Sequence, residues 1–135
     1  MARDLIDAAL AARKHAYAPY SNFRVGAGLC DENGHVHRGC NVENASYPQG
    51  LCAEATALAA MVLAGRRSCV EIAILAESDR LTTPGCRQKL REFGSDGMRI
   101  HACDETGEVR RTFLLGELFP FAFGPEQLGV RPERQ

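Results

Sequence analysis

The sequence predicts an α/β protein: a five-stranded sheet covered by helices. Two observations carry that expectation. Segments with helical apolar spacing alternate with short apolar runs in the order α-β-β-α-β-α-β-β, followed by a short terminal helix. The 135 residues also match the usual size of one domain and can bury a substantial core.

Leu5, Ala9, Ala12 and Ala16 recur at helical spacing, predicting an amphipathic helix from Arg3 to about Tyr17 that ends before Ala18-Pro19. Phe23 to Cys30 reads as a strand. Asp31-Glu32-Asn33-Gly34 carries the Asn-Gly signature of a hairpin, and His35 to Asn41 returns as the second strand. The continuation from Gly39 to Pro48 is polar and is expected to line something. A second helix, opened by Cys52, runs to about Leu63 and is capped by Gly65. Its alanines permit close approach to a sheet, so it should be largely buried. Cys69 to Ala76 is expected as a central strand, and Gly85 to Phe93 as a third helix ending at Gly94. Arg99 to Cys103 and Glu108 to Thr112 form two more strands joined by Asp104-Glu105-Thr106-Gly107. A short helix around Leu114 to Leu118 precedes a tail containing Pro and Phe. Neither a repeat nor a linker interrupts the chain, so residues 1–135 are expected to form a single domain.

A formal net charge of −1 gives no electrostatic reason to expect nucleic acid as a partner. No apolar run approaches membrane-spanning length, and the N-terminal Met-Ala-Arg-Asp-Leu-Ile-Asp is unlike a secretory signal, so a cytoplasmic protein is expected. The six cysteines are scattered, which favours reduced thiols or metal ligands over a disulfide framework. Cys30, Cys69 and Cys103 adjoin apolar runs and are assigned to packing.

Cys52 and Glu54 are the most informative pair. Residues two apart inside a helix point to nearly opposite sides, so these two side chains converge only if Cys52 is the non-helical cap and Glu54 lies in the first turn. The positive end of the helix favours a thiolate and a carboxylate there, and a metal-bound water could be shared between them. The alternative is a buried cysteine beside an ordinary first-turn glutamate.

Several further stretches carry a resemblance. Ala18-Pro19-Tyr20-Ser21-Asn22-Phe23-Arg24-Val25-Gly26-Ala27, Gly39-Cys40-Asn41-Val42-Glu43-Asn44-Ala45-Ser46-Tyr47 and Cys52-Ala53-Glu54 are three of them. Cys86-Arg87-Gln88-Lys89-Leu90-Arg91-Glu92-Phe93 and Leu118-Phe119-Pro120-Phe121-Ala122-Phe123 complete the set. Together they make nearly the whole chain similar to the small homotetrameric zinc-dependent cytidine deaminases. The resemblance implies a mixed five-stranded sheet sandwiched by helices, a three-layer α/β/α fold. It implies Zn²⁺ as cofactor, Cys52 and Cys86 as metal ligands, and Glu54 as a non-ligating proton shuttle. Asn41 and Glu43 would hydrogen-bond the ribose and Phe23 would pack against the nucleoside. Tyr47 and Phe123 would complete the pocket from a neighbouring subunit. The implied reaction converts cytidine or deoxycytidine to uridine or deoxyuridine with release of ammonia, as in pyrimidine salvage.

The second half of the metal motif departs from this pattern. The family reads Pro-Cys-x-x-Cys-Arg-Gln, whereas this chain reads Thr82-Thr83-Pro84-Gly85-Cys86-Arg87-Gln88. Arg87, Gln88, Leu90 and Phe93 fix Cys86 as the final cysteine, so the middle ligand is missing and Thr83 occupies its place by spacing. A threonine hydroxyl stays protonated at neutral pH and is a poor zinc ligand. Three readings follow. Zinc is held by Cys52 and Cys86 with water or an oxygen donor such as Asp79; or the chain is a non-catalytic nucleoside-binding relative; or the working enzyme carries two more residues here. Ala55 stands where relatives often place an arginine beside the thiolates, and a site with two thiolates needs no such charge. A structural zinc module would need paired Cys-x-x-Cys units, which the sequence lacks. Deaminases of nucleic-acid bases or of other aminonucleosides share the motif, but the Asn41/Glu43 loop favours a free pyrimidine nucleoside.

Overall fold

The computed structural model describes residues 2–77, 84–121 and 124–129. In chain order the elements are α1 (Ala2–Arg13), β1 (Gly26–Asp31), β2 (Val36–Cys40), α2 (Ala53–Leu63), β3 (Cys69–Leu75), α3 (Pro84–Phe93), β4 (Arg99–Cys103), β5 (Val109–Leu114) and α4 (Leu115–Leu118). Short 3-10 turns cover Tyr47–Gln49 and Pro125–Leu128, neither of which the sequence reading anticipated.

The strands form one mixed sheet in the order β2-β1-β3-β4-β5. β1 pairs antiparallel with β2 and β3, and β4 antiparallel with β5. β3 and β4 are parallel, which requires a crossover, and α3 lies in it. The period-two alternation of strands sorts the apolar residues onto two faces. Ala27, Leu29, Ile72, Ile74 and Ile100 face Ala53, Ala57, Leu58 and Met61 of α2 and Leu90 of α3. Cys30, Ala73, Leu75 and Cys103 face Leu5, Ile6 and Ala9 of α1. The fold is therefore the expected three-layer α/β/α. Cys30, Cys69 and Cys103 are buried in it, and burial pushes the Cys69 thiol up to about 12.

The two hairpins share one device. Asp31 Oδ1 accepts from the backbone N–H groups of Asn33 (2.8 Å) and His35 (3.0 Å). Asp104 Oδ1 accepts from those of Thr106 (2.9 Å) and Glu108 (3.1 Å). Each Asp folds its own turn, and Gly34 and Gly107 supply the left-handed residue at φ +83° and +89°.

Two boundaries differ from expectation because tertiary hydrogen bonds captured the backbone. α1 stops at Arg13, short of Tyr17: the Tyr17 N–H donates to Asn41 O (3.0 Å), and Tyr17 O accepts from the Glu43 N–H (2.8 Å). β1 begins at Gly26, after Phe23. The Val25 N–H donates to Asn41 Oδ1 (3.0 Å), and Phe23 O accepts from Asn41 Nδ2 (2.8 Å), so these groups never join the ladder. β5 also runs to Leu114, two residues past the expected Thr112. No helix among the described residues is long and apolar enough to cross a membrane.

Candidate active site

α2 enters the molecule through Cys52. Its φ of −81° and ψ of 161° are extended, and the helix begins at Ala53. Glu54 falls in the first turn, the geometry that lets side chains two residues apart converge. The Thr56 hydroxyl lies 2.8 Å from Cys40 O and 3.0 Å from Ala53 O, pinning this helix mouth to the end of β2. A Cβ on Gly39 would collide with α2 backbone, including Ala53 O at 2.6 Å. Only glycine there lets the helix sit so close.

Cys86, in the first turn of α3, completes the centre. One ligand atom each from Cys52, Glu54 and Cys86 lies within 4.8 Å of the others. Glu54 is 3% and Cys86 2% exposed. Hydrogen bonding with the Cys86 thiol holds Cys52 below the usual thiol value, against its own desolvation and the charge of Glu54. Burial raises the Glu54 carboxyl, outweighing its hydrogen bonds and the charge of Lys89.

The centre opens into a cavity of about 340 Å³, within the range of small-molecule sites. Phe23, Asn41, Glu43, Tyr47, Cys52, Glu54 and Cys86 all line it. Phe123, Asp79 and Thr83 lie outside the described residues. Tyr47 sits on the rim and is 86% exposed. Sequence reasoning did not single out Val42 and Leu51, although both line the cavity. Their paired backbone hydrogen bonds (2.9 and 2.8 Å) close the loop between them, a pairing no local pattern announces. Ile74, near the C-terminal end of β3, and Ala76, just past it, also line the cavity, where the sequence reading placed them only in a central strand. Their position at the end of a central strand was the available signal.

This arrangement defines a class: an α/β protein with a small-molecule cavity and, at its floor, a thiol-thiol-carboxylate centre suited to a metal. Comparison with known proteins narrows it. The model of the cytidine and deoxycytidylate deaminase zinc-binding region matches residues 1–102. The cytidine deaminase of Sporosarcina psychrophila is 38% identical over 125 residues, covering 91% of each chain. That of Halalkalibacterium halodurans is 40% identical over 126 residues, covering 92% of this chain and 95% of the relative. The crystal structure of the cytidine deaminase from Burkholderia pseudomallei superposes with a TM-score of 0.83 at 44% identity, covering 90% of this chain and 98% of that one. The chain belongs to the cytidine and deoxycytidylate deaminase family.

Proposed function

We propose that the chain hydrolyses cytidine and deoxycytidine to uridine and deoxyuridine plus ammonia, using Zn²⁺ held by Cys52 and Cys86. The observation that carries this reading is the convergence of two thiols and a buried carboxylate at the floor of a cavity whose wall presents Asn41 and Glu43. The donor set suits zinc. Thiolates are preferred zinc ligands, and Cys52 and Cys86, whose sulfurs lie within 4.8 Å of each other, would hold the ion. When bound, the ion supplies hydroxide near neutral pH by lowering the pKa of water to roughly 7.

The remaining work falls to the chain. Glu54 accepts a proton from the attacking water and delivers it to ring N3, which makes C4 electrophilic. The carboxylate then takes the second proton, from the new C4 hydroxyl, and passes it to the exocyclic amine, so that the C4–N bond breaks, C4=O forms and ammonia leaves. Burial, which raises this carboxyl, suits a group that must both take and give a proton. Phe23 packs against the nucleoside, and Asn41 and Glu43 take the sugar.

The same reading makes residues 1–135 one catalytic domain of a cytoplasmic pyrimidine-salvage enzyme that assembles as a homotetramer. Support for assembly comes from exposed Tyr47 on the cavity rim and from an apolar groove of about 720 Å³ between α2 and α3. Leu51 lines both the groove and the cavity, so a second copy seated on the groove reaches the rim. One observation favours a second reading, a nucleoside binder with impaired metal binding: Pro84-Gly85-Cys86 leaves no cysteine at the family's middle position.

Zinc analysis of the purified protein and cytidine absorbance, followed with and without added Zn²⁺, separate the two. Bound zinc and turnover that a chelator removes and zinc restores support the deaminase. Cytidine binding without turnover at any zinc level supports the second reading.

A further inference from the structure

We propose that Ser21, which does not line the cavity, is a positioning residue for sugar recognition: its hydroxyl locks Glu43 to the 20–23 loop, which carries Phe23 and whose Phe23 carbonyl holds the Asn41 amide. The inference rests on the deaminase reading of this cavity and adds to it the device that sets its preference for a hydroxylated sugar.

Hydrogen-bond accounting around Glu43 carries the argument. Oε1 accepts the backbone N–H groups of Tyr20 (3.0 Å) and Ser21 (3.1 Å), and Oε2 accepts the Ser21 hydroxyl. A carboxylate has about four acceptor positions, so three are filled and one, on Oε2, is left for a donor entering from the cavity. The bond from Ser21 is the largest of the effects that hold the Glu43 carboxyl below its ordinary value, which keeps it an acceptor. Ser21 Oγ in turn accepts the Phe23 N–H (3.0 Å), so its single proton is committed to Glu43.

The chain of bonds then closes on Asn41. Its Nδ2 donates one proton to Phe23 O (2.8 Å) and its Oδ1 accepts from Val25 (3.0 Å), which fixes the amide orientation. The second amide proton of Nδ2 is available to a ligand. Asn22, between Ser21 and Phe23, has φ +59°, a left-handed residue at which the chain turns so that the Phe23 N–H meets Ser21 Oγ while the Ser21 N–H meets Glu43. A donor on Asn41 and an acceptor on Glu43 are thus braced through one short loop. A sugar hydroxyl, which can accept from the first and donate to the second, satisfies both at once.

Cytidine and 2′,3′-dideoxycytidine, compared on the wild type, Ser21→Ala and Ser21→Thr, test this. In the wild type, kcat/KM should favour cytidine. Ser21→Ala should shrink that preference roughly tenfold, the scale of one hydrogen bond to a charged group, chiefly through a higher KM for cytidine. Ser21→Thr retains the hydroxyl and should restore most of it. An equal loss on both substrates, or no wild-type preference, overturns the proposal. If the wild type turns over neither nucleoside, the deaminase reading fails, and the preference is then read from dissociation constants. A Kd ratio reduced by Ser21→Ala sustains the positioning role and an unchanged ratio overturns it, while a wild type that binds neither nucleoside overturns both. Thermal melting checks folding; should Ser21→Ala not fold, Ser21→Cys, a weaker donor, must show a partial loss of the same preference.

Discussion

At the scale of single residues, Glu54 concentrates the chemistry, and its neutral isostere separates its possible roles. Glu54→Gln keeps the volume and an acceptor oxygen in a buried, helix-mouth position but cannot carry a proton. Turnover should fall by about 10²–10⁴-fold, the usual contribution of a general acid-base group. Zinc per chain, measured by metal analysis, should stay at the wild-type value. Loss of the metal together with activity would show that the carboxylate is a ligand standing in for the missing cysteine. The pairing of this residue with Cys52 was legible in the sequence because only a cap position lets a two-residue spacing converge. Ser21 was not legible in the same way. Its importance depends on a left-handed backbone turn at Asn22 and on a carboxylate 22 residues away, and neither follows from local pattern.

At the scale of elements, the position of the centre depends on how closely α2 lies on β2. Gly39 sets that distance, since an added Cβ meets Ala53 O at 2.6 Å along with the backbone of Ala57 and the Thr56 hydroxyl. Gly39→Ala should therefore displace the mouth of α2, lowering stability by about 1–3 kcal/mol through overpacking. Because Cys52 and Glu54 ride on that mouth, kcat should fall further than the loss of folded protein explains. Gly97→Ala is the control: its nearest neighbour would be Ser95 Oγ at 3.9 Å, and stability should change by less than about 0.5 kcal/mol. Chemical denaturation and steady-state kinetics on both variants check the contrast. The elements themselves were readable from periodicity, and Arg99–Cys103 falls where the alternation placed it. The end of α1 and the start of β1 were not, because the Asn41 backbone and side chain, far along the chain, take the groups that would have extended them.

At the scale of the whole molecule, one sheet holds two apolar cores, and the order of helices and strands already implied a sheet covered by helices, with the resemblance implying layers on both faces. What a single chain could not reveal is the fate of its exposed apolar surface. Leu63, at the end of α2, is 90% exposed and borders the α2/α3 groove with Leu51, Val62 and Phe93. Contiguous apolar surface of this kind marks an interaction site. If copies of the chain cover it, light scattering should report an assembly of four chains of 14.7 kDa each. Leu63→Asp places a charge in that contact, where desolvation opposes it. Dissociation should then occur at concentrations at least tenfold higher than for the wild type, which corresponds to about 1.4 kcal/mol. Because Leu51 joins the groove to the cavity, the dissociated variant should also lose turnover on dilution, while its melting of secondary structure at high concentration stays near that of the wild type. A wild-type chain that runs as a monomer with full activity would remove the groove, and Tyr47 with it, from any part in a shared pocket.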